Sequence, residues 1–419
     1  LYLLFDFIFF MTKARIFYFN PTCELAVANG SFSYMPPLLL QEMERDLAVL
    51  PFIFGSENDC VITETKPSGK FVEQLNNWGF KVPKFCTLSE LESMPADSFE
   101  AICPWGWSPA AHFKLKKLKA KCSEEFKSNP SYNWQQTHQS LFERSTSLNI
   151  LTDILNNNPQ SWFINKSLTG IQVTCLEEIE MLMKEHQELV LKAPLSSSGR
   201  GIQIIRNKTL NNSNKAWISG VLKHQNYLIA EHYLEKLADL SFQFRITESA
   251  KIDYLGFTFF ETNSNGQYKG SLINTCIADI FPDKNMNELE EMILKTAKII
   301  GEELKSSVYT NLHRGFLGVD AMIFRNEKQI KIQPCIEINC RMNMGILTIL
   351  LQNNIQRGAK GKFELYYGSK GDFEIFAKKE ELLNPQVVLN GKISSGFFPL
   401  VEPANHQKFG AYFLISGTR

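Results

Sequence analysis

The feature that most constrains this chain is the order of residues in "VLKAPLSSSGRGIQ", positions 190–203. An apolar run ends in Lys192, and a Ser/Gly stretch follows it. A P-loop places its lysine directly after the last glycine, whereas Ile202 follows Gly201 here. Gly69-Lys70 and Gly361-Lys362 are each followed by Phe, so neither supplies that motif. A dinucleotide fingerprint needs a third glycine and a helix behind it, but position 204 is Ile in a strand-like run. A protein kinase sets its glycine loop before its lysine strand, and "HRGF" at 313–316 lacks the catalytic-loop aspartate. What remains is a β-hairpin with lysine on one strand and Ser/Gly at the tip. Lys192 is then a point charge for phosphate. Gly199 and Gly201 let backbone N–H groups approach an anion, and Ser196, Ser197 and Ser198 add short donors. The alternative is an ordinary polar turn, with Arg200 either a phosphate clamp or a solvated turn residue.

A second pattern favours the phosphate reading. "GFLGVDAMIFR" (315–325) and "PCIEINCR" (334–341) read as neighbouring strands. Glu337 and Asn339 share one face, and Ile336 and Ile338 point to the other. Asp320 stands between Val319 and Ala321. A carboxylate on an inner strand is costly unless it has a partner. Asp320, Glu337 and Asn339 offer three hard oxygen ligands, a set that suits Mg²⁺, with Mn²⁺ as a second candidate. The rival is a pair of structural salt bridges to Arg325 or Arg341.

Over about 140–345 these residues resemble the ATP-grasp superfamily: a strand lysine with a Ser/Gly loop, a linker strand, an acidic strand, and Glu-x-Asn with Arg close behind. The resemblance implies an α/β (α+β) fold, with a small doubly wound parallel-sheet domain preceding the grasp domain. It implies that adenine lies along "LIAEHYL" (228–234), against Glu231, His232 and Leu234, and that Asp239 takes the ribose hydroxyls. Many such proteins carry a further phosphate-contacting lysine before the loop lysine; this chain departs from that pattern, with Arg144 the candidate and Lys166 its rival. The implied chemistry is transfer of the γ-phosphate of ATP to a carboxylate, then attack by an amine. Arg341 would hold the acyl phosphate or the substrate carboxylate, or else serve only as an ion-pair partner. A small-molecule kinase and a nucleotide-binding scaffold without turnover are the alternatives.

The remainder of the chain sets limits. Its 419 residues call for two or three domains. The organisation expected is an upstream extension at 1–10, an N-terminal α/β domain at 11–128 and a helical part at 129–189. A nucleotide-lid subdomain follows at 190–235, a metal-binding sheet at 236–345, and one apolar helix (346–355) with three strand-like runs at 346–419. The apolar start "LYLLFDFIFF" is too short to span a bilayer, and Met11 reads as the natural start. Lys plus Arg and Asp plus Glu are 44 each, which leaves no basic footprint for nucleic acid. Nine scattered cysteines without a C-x-x-C point to a reducing cytoplasm, with neither disulfides nor zinc. From 15 to about 125, strand and helix patterns alternate, so ligands are expected beyond the strand ends at "NPTCE" (20–24) and "PWGWS" (104–108). Trp105 and Trp107 are either a substrate-pocket wall or core. "KLKKLKAK" (114–121) reads as a solvated helix face, and "NGQYKGSL" (265–272) as a turn or a substrate loop. The partners expected are a small carboxylate and an amine, with no nucleic acid or membrane; a homo-oligomer is left open.

Overall fold

The structure is a computed structural model; it describes residues 13–196, 201–206, 209–263, 266–282 and 286–417. The proposed extension at 1–10 lies outside the described residues. The N-terminal part forms a four-stranded parallel sheet from β1 (Ala14–Tyr18), β2 (Cys60–Ile62), β3 (Lys84–Cys86) and β4 (Phe99–Pro104), in the order β3-β2-β1-β4. Its strands are short apolar runs joined by amphipathic helices, which is why they pair in parallel and are covered on both faces.

The second sheet contains β5 (Ile171–Val173), β6 (Leu189–Lys192), β7 (Ile202–Ile205) and β8 (Leu228–His232), ordered β5-β8-β6-β7. β6 and β7 are the antiparallel hairpin that the lysine-first order requires, with Lys192 opposite Ile202. The helices Leu176–Glu185 and Asn212–Gln225 pack on this sheet through a small core of their own. The unit therefore begins before the expected boundary at 190, because β5 pairs with β8 and brings 171–185 with it.

The third sheet has nine strands, ordered β13-β12-β9-β10-β11-β14-β17-β16-β15. They are β9 (Glu235–Ile246), β10 (Ile252–Thr262), β11 (Tyr268–Ile273), β12 (Gly315–Asn326), β13 (Gln329–Asn339), β14 (Lys360–Tyr367), β15 (Val387–Leu389), β16 (Lys392–Pro399) and β17 (Phe409–Ser416). The C-terminal strands thus extend the metal-candidate sheet. Of the stretch 265–272, Gly266 and Gln267 belong to the turn between β10 and β11, with Gly266 N–H donating to Asn263 O at 2.9 Å, and from Tyr268 the chain is a ladder strand paired with β10 and β14. The helix Asp372–Leu383 was not foreseen; Phe373 and Ala377 are four residues apart and both buried. The apolar helix ends earlier than expected, at Met344–Gln352.

One face of the large sheet is dry. Leu240, Phe242 and Phe244 on β9 and Leu317, Val319, Ala321 and Ile323 on β12 pack under the helices Arg144–Asn157 and Met286–Lys305. A second core joins the N-terminal sheet to the C-terminal strands, with Phe17, Phe52, Trp78 and Trp105 packed in one cluster with Met342, Phe398 and Phe413. Trp105 is core, not a pocket wall: its ring meets Phe19 and Phe54 edge-on at 4.9 and 5.9 Å. Trp107 stacks on His112 at 4.4 Å. The basic stretch is not wholly solvated, since Leu115 and Leu118 anchor it and Lys119 is buried over the Tyr132 ring. Among the described residues, no helix is long and apolar enough to cross a membrane.

Candidate active site

Strand alternation builds the site. Because neighbours on a strand project to opposite faces, residues 239, 241 and 243 of β9 share the face opposite Leu240 and Phe242. Asp320 is in register with Ser241 on one side and with Glu337 on the other. Asp239, Ser241, Gln243, Asp320, Glu337 and Asn339 therefore form one polar face.

A hydrogen-bond chain orders it. Gln243 Nε2 donates to Ser241 Oγ at 2.7 Å, Ser241 Oγ donates to Asp320 Oδ1 at 2.6 Å, and Asn339 Nδ2 donates to Asp320 Oδ2 at 2.9 Å. Burial pushes the Asp320 carboxyl up to about 7; the Ser241 bond works against this and the charge of Glu337 adds to it. Asp320 and Glu337 stand opposite each other in the β12–β13 register. The hard-oxygen donors of Asp320, Glu337 and Asn339 fit Mg²⁺.

Two arginines flank these acids. Arg144, the first residue of its helix, is buried and places a terminal guanidinium nitrogen 3.0 Å from Glu337 Oε1. The same guanidinium donates to Ala193 O and Ser196 Oγ, both at 2.6 Å, so it ties the hairpin to β13. Lys166, its rival, is exposed. Arg341 donates from Nε to Glu24 Oε1 at 2.8 Å and from a terminal nitrogen to Asn339 Oδ1 at 2.9 Å. Burial disfavours the Arg341 charge, and the surrounding groups, Glu24 foremost and Glu337 with it, together outweigh that and hold it charged. Arg325 is elsewhere, paired with Glu235 at 3.2 Å near the surface.

Across the hairpin, Lys192 Nζ lies 2.6 Å from Glu231 Oε2, with both side chains largely buried. The buried Cys335 thiol is pushed up by desolvation first and then by the charges of Asp320 and Glu231, with Lys192 opposing. The other expected contacts are dispersed. His232 faces away from Glu231, with its ring edge-on to His186 at 4.0 Å. Leu234 packs against the large-sheet core. Asp239 accepts from Lys236 at 2.6 Å and from Thr262 at 3.0 Å. Gly201 accepts Ala193 N–H at 2.8 Å. Ser197, Ser198, Gly199 and Arg200 lie outside the described residues.

Three contributors escaped the sequence reading. Ser241 and Gln243 are visible as the polar half of the alternation in "LSFQFRI", and Glu24 as the acid closing "NPTCE". Only the fold brings them to Asp320 and Arg341.

The chain is similar over 97% of its length to biotin carboxylase from Campylobacter jejuni, solved as a beta-gamma-ATP complex, with a TM-score of 0.51, 12% identity and 88% of that chain covered. It matches a pyruvate carboxylase from Rhizobium etli with the same TM-score and identity over 36% of that longer chain. The chain has an ATP-grasp fold. N5-carboxyaminoimidazole synthetase from Staphylococcus aureus also aligns, at 14% identity and a TM-score of 0.49, over 97% of this chain and 94% of that one. No family model matches the sequence.

Proposed function

We propose that this protein is an ATP-dependent, ADP-forming carboxylate–amine ligase. The observation that carries the reading is the position of Arg144, which joins the lysine hairpin at Ala193 and Ser196 to the acid strand at Glu337. Arg144 thus links the hairpin that carries Lys192 to the acid strand, and cations beside oxygen ligands are what phosphoryl transfer uses.

Asp320, Glu337 and Asn339 would hold Mg²⁺, which when bound supplies charge neutralisation at the phosphates. Lys192 turns from Glu231 to the phosphates. The segment 231–234 is assigned to adenine, and Asp239 to ribose in exchange for Lys236. A substrate carboxylate oxygen attacks the γ-phosphorus, the bond to the β-phosphate oxygen breaks, and ADP leaves. Arg341, oriented by Glu24, holds the acyl phosphate. The amine nitrogen then attacks the acyl carbon, the carbon–oxygen bond to phosphorus breaks, and the amine proton leaves with phosphate. Positioning and charge do the catalysis, with no protein nucleophile.

The test is ADP release with Mg-ATP and pooled carboxylic acids and amines. Glu337→Gln keeps an acceptor for Arg144 and removes the charge; release should fall by roughly 100-fold or more, with the melting transition retained. Unchanged release removes this site assignment. Hydroxylamine should trap a hydroxamate, which a kinase acting on a hydroxyl would not yield.

A further inference from the structure

A cavity of about 460 Å³ opens at the carboxyl ends of β1, β2 and β4. Thr22 follows β1, Thr63 follows β2 and Ser108 follows β4, and all three line it. Such crevices are where parallel sheets hold ligands. Two groups inside are open to a ligand, one of them buried without a partner for its side chain among the described residues. Thr63 is 3% exposed; its N–H donates to Cys86 O at 2.9 Å, but its hydroxyl has no partner among the described residues. A buried hydroxyl left this way is a cost that a ligand would remove.

The second group is Glu44, on the helix Leu38–Asp46. Its Oε1 accepts both the N–H of Thr22 at 3.3 Å and the hydroxyl of Thr22 at 2.5 Å. Its Oε2 accepts no bond among the described residues. Burial raises the Glu44 carboxyl, and the Thr22 donors only partly counter it. The inner charge is thus negative and half-open. Two cations line the cavity: Lys114 donates to the Tyr18 hydroxyl at 2.9 Å within the same lining and partly offsets the Glu44 charge, and Arg45 lies 3.5 Å from Asp46. Glu64 is exposed at the edge. Phe32, Met35 and Phe113 expose 53%, 72% and 64% of their surface there, which makes the mouth apolar.

We propose that this cavity binds a primary ammonium compound with an apolar substituent, its ammonium on Glu44 Oε2 and Thr63 Oγ1. Resting on the ligase reading above, it holds the amine-bearing substrate. The two sites share a wall. Cys23 lines the cavity, while the next residue, Glu24, holds Arg341. Asn20, also in the lining, donates to Gly106 O at 2.8 Å, and a Cβ on Gly106 would meet both Cys23 Sγ and Arg341 Cβ.

Calorimetric titration of the full chain without ATP tests it, using isoamylamine and its acid counterpart, 4-methylvalerate. Wild type should bind isoamylamine and not the acid. Glu44→Gln, which keeps the acceptor for Thr22, should bind the amine at least tenfold more weakly, and Thr63→Val several-fold more weakly; thermal melts confirm that both variants fold. Equal binding of amine and acid, no binding of the amine, or an amine affinity indifferent to Glu44 overturns the proposal. ADP release is read in parallel samples of each variant supplied with Mg-ATP, pooled carboxylic acids and the amine. Release that persists while amine binding ignores Glu44 sinks the cavity assignment alone. Glu44-dependent amine binding without ADP release under any substrate mixture supports the site and sinks the ligase reading.

Discussion

At the scale of single residues, buried charge decides the most. Lys192 and Glu231 are held together 2.6 Å apart with little solvent, so removing one strands the other. Lys192→Met should cost about 3 kcal/mol, and adding Glu231→Leu should recover most of it; denaturant unfolding of the two variants measures this. His313 gives a pH dependence. Burial holds it down to about 4 while a ring nitrogen lies 3.0 Å from Phe316 O. His112 is lowered to about 3 by burial and then by Lys119. Between about pH 6.5 and 4 the unfolded chain binds protons at these sites that the folded chain does not, so stability falls as pH drops through that window. For His313 alone the loss at pH 5 is about 2 kcal/mol, to be read from melting curves at pH 7 and 5. The candidate site residues were legible singly: Lys192 from its loop, Asp320, Glu337 and Asn339 from strand alternation. Their partners were not. Arg144 and Glu337 are 193 positions apart in the chain numbering, and no spacing rule joins them.

At the scale of elements, the hairpin and the paired strands follow from local pattern, since period-2 alternation sets which face is dry. The helix Asp372–Leu383 did not stand out, because its buried stripe is narrow and its exposed face carries Ile375, Leu382 and Leu383. Its seat is specific. Gly410 on β17 lies directly under the Phe373 ring, where a Cβ would come closer than any real Cβ contact. Gly410→Ala should therefore destabilise by about 1–3 kcal/mol, seen as a lower melting temperature, although glycine is otherwise a weak strand former. β5 shows the same lesson in reverse. It is three residues long with two exposed, too little for a sequence pattern, and only pairing with β8 makes it a strand.

At the scale of the whole molecule, two kinds of attachment coexist. The N-terminal sheet shares a core with the C-terminal strands and is fastened by further bonds: Glu402 accepts from Ser68 N–H and Oγ, and Asp46 accepts the Lys408 and Phe409 N–H groups. The sheet of β5 to β8 has its own small core. Hydrogen exchange should therefore show the amides of β1, β4, β16 and β17 protected together, and those of β5 to β8 exchanging through a separate, lower-energy opening. A single common exchange rate for both groups would contradict this. By itself the sequence determined the local periods: a lysine-first hairpin, alternating strands with acids on one face, and a strand–helix N-terminal part. These rest on chemistry within a few residues of chain. Tertiary structure alone decided which arginine meets which acid, that Trp105 is core, and that Glu44 and Thr63 share a cavity. Those outcomes depend on burial and on contacts between distant segments, which only the folded chain brings together.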